Sequence, residues 1–328
     1  MPTVFITGGH KGLGLRSVQR IAASGGFDLV LGGRNLAEVE VSVGELPRDY
    51  NVNAWAVLLD VSSLASVRTA AAQFQAMVQD GKVAPLRVLM LNAGAQFLGD
   101  VSFSVDGYEQ TFATNCLGNY LLICLLLGDI ERGGRVVFTA SGTHDPATMD
   151  SKMVGAAAAP DAIALANQGK HGKPISGGKR YVSSKLCTIL YAYELDRRLR
   201  AADADIASIA FDPGLMVETG LIRSAPPVAQ RILRTRLAKW LFRTLGVTMG
   251  SVAFSGDALA DVAIDPRFAT ASGKYIQSRN GGLIEARSSK ASYEAASASK
   301  LWQDSEALVD LQPEERRKMF PAIRAAAA

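Results

Sequence analysis

In the stretch GKRYVSSKLC, residues 178–187, Tyr181 precedes Lys185 by four positions. Four residues is a little over one helical turn, so both side chains leave the same helix face and can act on one small molecule. A phenol beside an ammonium is proton-transfer chemistry. An unperturbed tyrosine titrates near about 10, and an adjacent positive charge stabilises its phenolate and lowers that value. Taken alone, the pair is equally what the solvated face of an ordinary helix carries, so the surrounding sequence has to decide.

A second constellation lies at the start of the chain. TGGHKGLG, residues 7–14, follows an apolar run and opens a helical pattern. Glycine lets a backbone turn sharply and lets phosphate oxygens approach, while the free N–H groups of a helix start attract negative charge. Gly8, His10, Lys11, Gly12, Leu13 and Gly14 are therefore candidate contacts for the phosphates of a dinucleotide. The spacing of Gly8, Gly12 and Gly14 departs from Gly-x-Gly-x-x-Gly, so the dinucleotide rule is met in context rather than in letter. The next strand pattern ends VLGGRN, where an acidic residue would select NAD. Arg34 stands there instead, and a guanidinium suits a 2′-phosphate. Asp28 is at the wrong end of that strand. With Lys11 adding charge, and His10 either joining it or remaining a solvated loop residue, the cofactor expected is NADP(H).

The elements that must hold these groups alternate. TVFIT, DLVLG, AWAVLLD, LRVLMLN, RVVFTA and IASIAFD read as strands, and LRSVQRIAAS and SSLASVRTAAAQFQAMV between them carry apolar residues at helical spacing. Strand and helix in alternation predict an α/β fold: a Rossmann-like doubly wound parallel sheet, in one domain spanning residues 1–328. A last strand is expected in GKYIQS, before a helical tail over about 290–328. Two segments break the rhythm. Residues 142–180 form a long insertion before Tyr181 of the kind that builds binding loops. Residues 214–250 contain RILRTRLAKWLFRTLG, apolar on one side and basic on the other, which suits a lid over a ligand, a plain surface helix, or peripheral membrane contact through 231–245.

Composition narrows the function classes. With 328 residues, 48% hydrophobic and 20% charged, the chain can bury a large core. Its 35 Lys plus Arg nearly balance 31 Asp plus Glu, which argues against a nucleic-acid partner. Cys116, Cys124 and Cys187 are too scattered for a zinc site or a disulfide framework and read as reduced thiols; no metal is expected. The start shows no basic leader or signal-length apolar run, so a cytoplasmic home is expected. YLLICLLLGDI, 120–130, reads as a buried helix too short to span a bilayer.

LNAG at 91–94, TNCLGNYLL from 114, RVVFTAS ending at Ser141, Tyr181 with Lys185, and DPG at 212–214, taken with the glycine loop, resemble the short-chain dehydrogenase/reductase family in order and separation. The resemblance runs from residue 3 to about 220. It implies a nicotinamide cofactor and a catalytic tetrad of Asn115, Ser141, Tyr181 and Lys185. Tyr181 would be the acid that protonates the oxygen receiving a hydride, and Lys185 would lower its pKa and hold the nicotinamide ribose. Ser141 would bond the substrate oxygen, and Asn115 would anchor a water-mediated proton path. Asp60 and Val61 would meet the adenine, and Asn92, Ala93 and Gly94 would line the cofactor. Pro213, Gly214 and Thr219 would reach its carboxamide end, although the family threonine maps equally onto Glu218. His144 is close enough to Ser141 either to touch a substrate carboxylate or to be a hydrogen-bonded structural residue. Subunit contacts through the helices of YLLICLLLG and of Tyr181 are common in the family, which makes a homo-oligomer possible.

GTHDP, the long insertion, SSKLC, PGLMVETGLIR, SGKYIQSRNGG and KLWQDSEALVDL extend the resemblance to the light-dependent protochlorophyllide oxidoreductase branch over almost the whole chain. That branch usually has Thr at the position of Ser141 and, directly after the Pro-Gly pair, a Cys thought to aid pigment reduction. Here that position is Leu215, and leucine cannot give a proton. Three readings follow. The first is NADPH-dependent reduction of a carbonyl or conjugated double bond in a bulky, largely apolar molecule. The second is light-dependent protochlorophyllide reduction, and the third a non-catalytic NADPH-binding sensor or scaffold.

Overall fold

The computed structural model describes residues 1–215, 250–279 and 281–319. In chain order the elements are β1 (Thr3–Thr7), α1 (Gly12–Ser24), β2 (Asp28–Gly33), α2 (Leu36–Asp49), β3 (Ala54–Leu58), α3 (Leu64–Gln79) and β4 (Leu86–Leu91). They continue with α4 (Gln110–Phe112), α5 (Gly118–Leu126), β5 (Ile130–Thr139), α6 (Met149–Val154), α7 (Ala162–Ala166), α8 (Gly177–Ala201) and β6 (Ile206–Asp212). Beyond residue 250 come α9 (Val252–Ile264), β7 (Lys274–Arg279), β8 (Gly282–Ala286), α10 (Ala295–Leu308) and α11 (Pro313–Met319).

One sheet of eight strands runs β3-β2-β1-β4-β5-β6-β7-β8, parallel throughout except for the final antiparallel pair. Each residue of β1 and β2 is buried because helices cover both sheet faces, which is why these strands read as continuous apolar runs rather than alternating ones. On one face Phe5, Phe74, Tyr120, Leu190 and Trp302 share a core; on the other Ile6, Val18, Ile21, Phe211 and Leu259 do. The winding direction reverses between β1 and β4, the point at which open α/β sheets form a binding crevice at the carboxyl ends of their strands.

Three outcomes differ from the sequence expectations. β8 was not foreseen, although Asn280-Gly281 is the dipeptide that favours a two-residue hairpin loop. Gly281, at φ 82°, stands between the paired Arg279 and Gly282. The helix around residues 120–130 is part of a longer helical run, Gln110–Asp129, whose 20 residues are long and apolar enough to cross a bilayer. The run continues backwards through Thr114, Asn115 and Asn119, which an apolar pattern alone passes over, and 89% of its most apolar window is buried inside the protein. Thirdly, the insertion is not an open loop. It forms α6 and α7, and Ala162, Leu165 and Ala166 join the core.

The C-terminal helices cover the two helices expected to mediate subunit contacts. Trp302 of α10 packs edge-on to Tyr120 at 4.9 Å between ring centroids, and the Arg198 guanidinium lies 4.8 Å above its ring. Arg68 of α3 reaches α11 through Glu315 at 2.9 Å. An oligomer built on the α5 and α8 faces would have to displace these contacts. The basic segment 231–245 and the rest of the lid, 216–249, lie outside the described residues.

Candidate active site

Because β1, β4, β5 and β6 are parallel neighbours, their carboxyl ends deliver the glycine loop, Asn92–Gly94, Ser141 and Pro213–Gly214 to one edge. α8 crosses that edge. Lys185 Nζ donates to the carbonyl of Thr139, the last residue of β5, at 2.8 Å, which fixes the lysine beside the strand end. Asn115 arrives from the other side on a π-helical turn, Ala113–Leu117, the kind of local widening that recurs at functional sites. Its amide is fully engaged. Nδ2 donates to Ala95 O and to Ser184 Oγ, both at 2.9 Å, and Oδ1 accepts from Ala95 N at 2.8 Å. Asn119 holds the turn open by donating to the carbonyls of Thr114, Asn115 and Ala93. Gly94 admits this cluster: a Cβ there would stand 3.1 Å from Asn115 Oδ1 and 3.7 Å from Lys185 Nζ.

The four tetrad residues therefore meet at one place. The Ser141 side chain is close enough to Tyr181 to favour its phenolate, and Lys185 Nζ lies 5.8 Å from the Tyr181 ring centroid. Tyr181 and Lys185 are each 8% exposed. Burial pushes the Tyr181 phenol up to about 12; the bond to Ser141 opposes this and the Asp212 carboxylate reinforces it. Burial also pulls the Lys185 ammonium down to about 8, against the attraction of Cys116 and Asp212. The expected lowering of the phenol by the lysine is not what this arrangement produces. One of the three ammonium N–H groups goes to the Thr139 carbonyl, and the loss of water around a would-be phenolate dominates the shift of the phenol. The site holds a protonated phenol, which is the form that donates.

At the other end of the crevice the glycine loop is built for close approach. Gly8 has φ 69° and Gly12 φ 57°, and the space beside the Gly12 Cα is open. Gly14 packs so tightly that a Cβ would come within 2.3 Å of Gly8 O and 2.7 Å of Asn92 Nδ2. Thr7 Oγ1 accepts from the backbone N–H groups of Asn92 and Ala93, locking the loop to the end of β4. Lys11 and Arg34 are exposed at its rim, and the buried Leu13 anchors the first turn of α1. Asp60 is fixed by Ser62, which donates to its Oδ1 at 2.7 Å, and Gly118 packs against the Val61 carbonyl, where a Cβ would stand 1.8 Å away. This open glycine cradle, with cations at its rim, fits a phosphorylated dinucleotide.

The weaker candidates separate. His144 is 2% exposed with both ring nitrogens taken: Nδ1 lies 2.7 Å from Ser141 O, and Nε2 accepts from Ser289 N at 3.0 Å. Burial lowers its pKa, and the neutral ring carrying its proton on Nδ1 satisfies both bonds. Of its two readings the structural one holds, since no nitrogen is left for a substrate carboxylate. Asp212, buried beneath Pro213, accepts from Tyr275 and Gln277 at 2.8 Å and from Gly214 N at 2.9 Å. Leu215 is half-buried beyond Gly214, and Gly250 N donates to its carbonyl at 3.0 Å. Thr219 and Glu218 lie outside the described residues. The three cysteines are free and buried.

A family model described as short chain dehydrogenase matches residues 2–155. Protochlorophyllide reductase of Cucumis sativus is 31% identical over 94% of this chain and 78% of its own length. The chain belongs to the short-chain dehydrogenase/reductase family. Within the family it resembles the protochlorophyllide reductase branch, the Pisum sativum enzyme also being 31% identical over 94% of this chain and 78% of its own length. Among solved structures, a protein from Mycobacterium paratuberculosis superposes with a TM-score of 0.66, 25% identity and 94% coverage of both chains. A short chain dehydrogenase from Burkholderia cenocepacia, solved with NADP, shares the fold at a TM-score of 0.61 and 20% identity, over 86% of this chain and 97% of its own.

Two supports of this short-chain dehydrogenase/reductase site escaped sequence reasoning. Ser184 links the tetrad, accepting from Asn115 and donating to Tyr181 O at 2.7 Å. Arg180 and Glu109, side chains 3% and 2% exposed, form a buried ion pair at 3.1 Å. Arg180 also donates to the carbonyls of Ile175, Phe97 and Gly99, and Glu109 caps α4 by accepting from Phe112 N. The run Arg-Tyr in GKRYVSSK and the Glu-x-x-Phe of YEQTF were the available signals, but nothing local pairs them.

Proposed function

We propose that the chain is an NADPH-dependent reductase that transfers a hydride to a carbonyl or conjugated double bond of a bulky, largely apolar substrate, with Tyr181 as proton donor. The observation that carries this reading is the convergence of the buried Tyr181, Ser141 and Lys185 at the carboxyl ends of the strands, beside the glycine loop. A bound nicotinamide in its reduced form supplies the hydride. Asn92, Ala93 and Gly94 line the crevice on the way to Tyr181, and Lys185 keeps positive charge near the reacting oxygen. As negative charge grows on that oxygen, Ser141 and Tyr181 are placed to donate to it, which lowers the barrier where charge develops. Lys11 and Arg34, with no acidic residue at the end of β2, support NADPH over NADH. A cytoplasmic location belongs to the same proposal, tested by fractionation.

A second reading, light-dependent protochlorophyllide reduction, is favoured by the resemblance along 94% of the chain to proteins of that name. Leu215 weighs against it, because its side chain has no proton to give. Protein mixed with NADPH is assayed in the dark against a panel of ketones and enones, and under illumination with protochlorophyllide. Dark NADPH oxidation supports the first reading, and chlorophyllide formed only in light replaces it with the second. In the same preparation Arg34→Ala is expected to raise the NADPH dissociation constant about 10- to 100-fold by removing a charged phosphate contact, and to leave NADH binding nearly unchanged. Equal weakening for both nucleotides, read by nicotinamide fluorescence, would remove Arg34 from the 2′-phosphate.

A further inference from the structure

The cationic rim of the glycine crevice contains one group in an unusual state. His10 has a side chain only 6% exposed, and neither ring nitrogen has a hydrogen-bond partner. It is held in place. Ser42 Oγ donates to its carbonyl at 3.2 Å, and the ring rests on Gly33, where a Cβ would come within 2.8 Å of Nδ1 and Cε1. Any larger residue at the end of β2 would evict the ring. Beside it, one oxygen faces two nitrogen groups: Glu38 Oε2 is 3.5 Å from His10 Nε2 and 3.6 Å from the Lys11 ammonium. The carboxylate is kept there by Asn35 Nδ2, which donates to Oε1 at 2.9 Å.

We propose that the Glu38 carboxylate is a built-in stand-in for the cofactor's 2′-phosphate, and that His10 takes up a proton when the phosphate replaces it, so that NADPH affinity is coupled to pH. The inference rests on the cofactor reading above. Every charged group facing His10 enters the balance. Lys11 on the loop and Arg34 after β2 bring two positive charges, and Glu38 on α2 brings one negative. A phosphate monoester carries about −1.5 to −2 near neutral pH, against the single charge of the carboxylate it replaces, so the negative charge facing His10 rises when it binds. Without nucleotide, burial lowers the His10 pKa first, with Lys11 and Arg34 acting in the same direction and only Glu38 opposing. The neutral ring therefore has a free nitrogen and a reason to accept a proton once a dianion arrives. NADH, lacking the phosphate, neither displaces Glu38 nor draws the proton.

NADPH and NADH dissociation constants are measured on the full chain between pH 6.5 and 8.5, a range chosen to stay above the phosphate's own second pKa of about 6. Calorimetry in two buffers of different ionisation heat then counts protons directly. For the wild type, NADPH binding is expected to tighten towards low pH, by up to tenfold per unit, with net proton uptake, while NADH binding stays flat. His10→Asn flattens the NADPH curve and abolishes the uptake. Glu38→Gln tightens NADPH about three- to tenfold with little change for NADH. No proton uptake by the wild type, a slope surviving His10→Asn, or a Glu38→Gln variant that binds NADPH no more tightly overturns the inference while leaving the cofactor reading intact. Failure to bind NADPH at any pH defeats the cofactor reading itself, and this inference with it.

Discussion

Tyr181→Phe is expected to lower dark NADPH-linked reduction by about 100- to 10,000-fold, the usual worth of a positioned general acid, while NADPH still binds. The phenol is the acid of the cluster placed to give its proton, with Ser141 beside it as a hydrogen-bond donor. Lys185 bonds the Thr139 carbonyl, Asn115 is fully engaged with Ala95 and Ser184, and His144 is locked between Ser141 and Ser289. Phenylalanine keeps the ring and its packing and removes only the hydroxyl, so the loss is read on turnover rather than on folding. The pH dependence follows from the same burial. Tyr181 stays protonated until about 12, so it does not set the working range. Lys185 carries its charge below about 8 and loses it above. At saturating NADPH, reduction is expected to be full below about pH 8 and to decline as pH rises past it. A decline on the acid side instead would mean that neutral lysine is the working form.

Breaking the Arg180–Glu109 pair has the largest expected effect on stability. Both charges are buried, and either one alone would be left in the core without compensation. Arg180→Ala should therefore cost about 3–5 kcal/mol, seen as a lower denaturant midpoint at unchanged slope. It also releases three carbonyls, at Phe97, Gly99 and Ile175. These belong to the loop after Asn92–Gly94 and to the insertion, and Gly177 at the start of α8 packs against the backbone of Phe97 and Leu98. The first turn of α8, and Tyr181 with it, is thus tied to the cofactor-lining loop. Replacing both partners with methionine should recover much of the loss, because an apolar pair leaves no stranded charge. A wild-type midpoint for Arg180→Ala would show that the pair contributes nothing.

The parallel strands were legible because burial on both faces leaves continuous apolar runs, and the glycine loop because close approach and positive φ at Gly8 and Gly12 restrict the residue type. The tetrad was legible through order along the chain, since four ordinary residue types converge only when strand ends and two helices bring them together. What the sequence concealed was pairing across distance. Arg180 looks like any charged residue at a helix start until Glu109 is seen facing it, and Ser184 looks like a spacer. The burial of Tyr181 was hidden for a related reason: spacing places Lys185 on the same helix face but does not reveal how much water both groups lose, nor that the Thr139 carbonyl accepts from the ammonium. His10 was noted only as a possible rim charge, because burial against Gly33 depends on the loop folding back over β2.

The most direct measurement is a structure of the full chain with NADPH bound. The adenosine phosphate is expected at Lys11 and Arg34, the other phosphates over Gly8–Gly14, and the nicotinamide ring within about 4 Å of the Tyr181 hydroxyl, with Ser141 on the same side. A nucleotide seated elsewhere, or a nicotinamide left far from Tyr181 with the phenol turned into the protein, would contradict the proposed function.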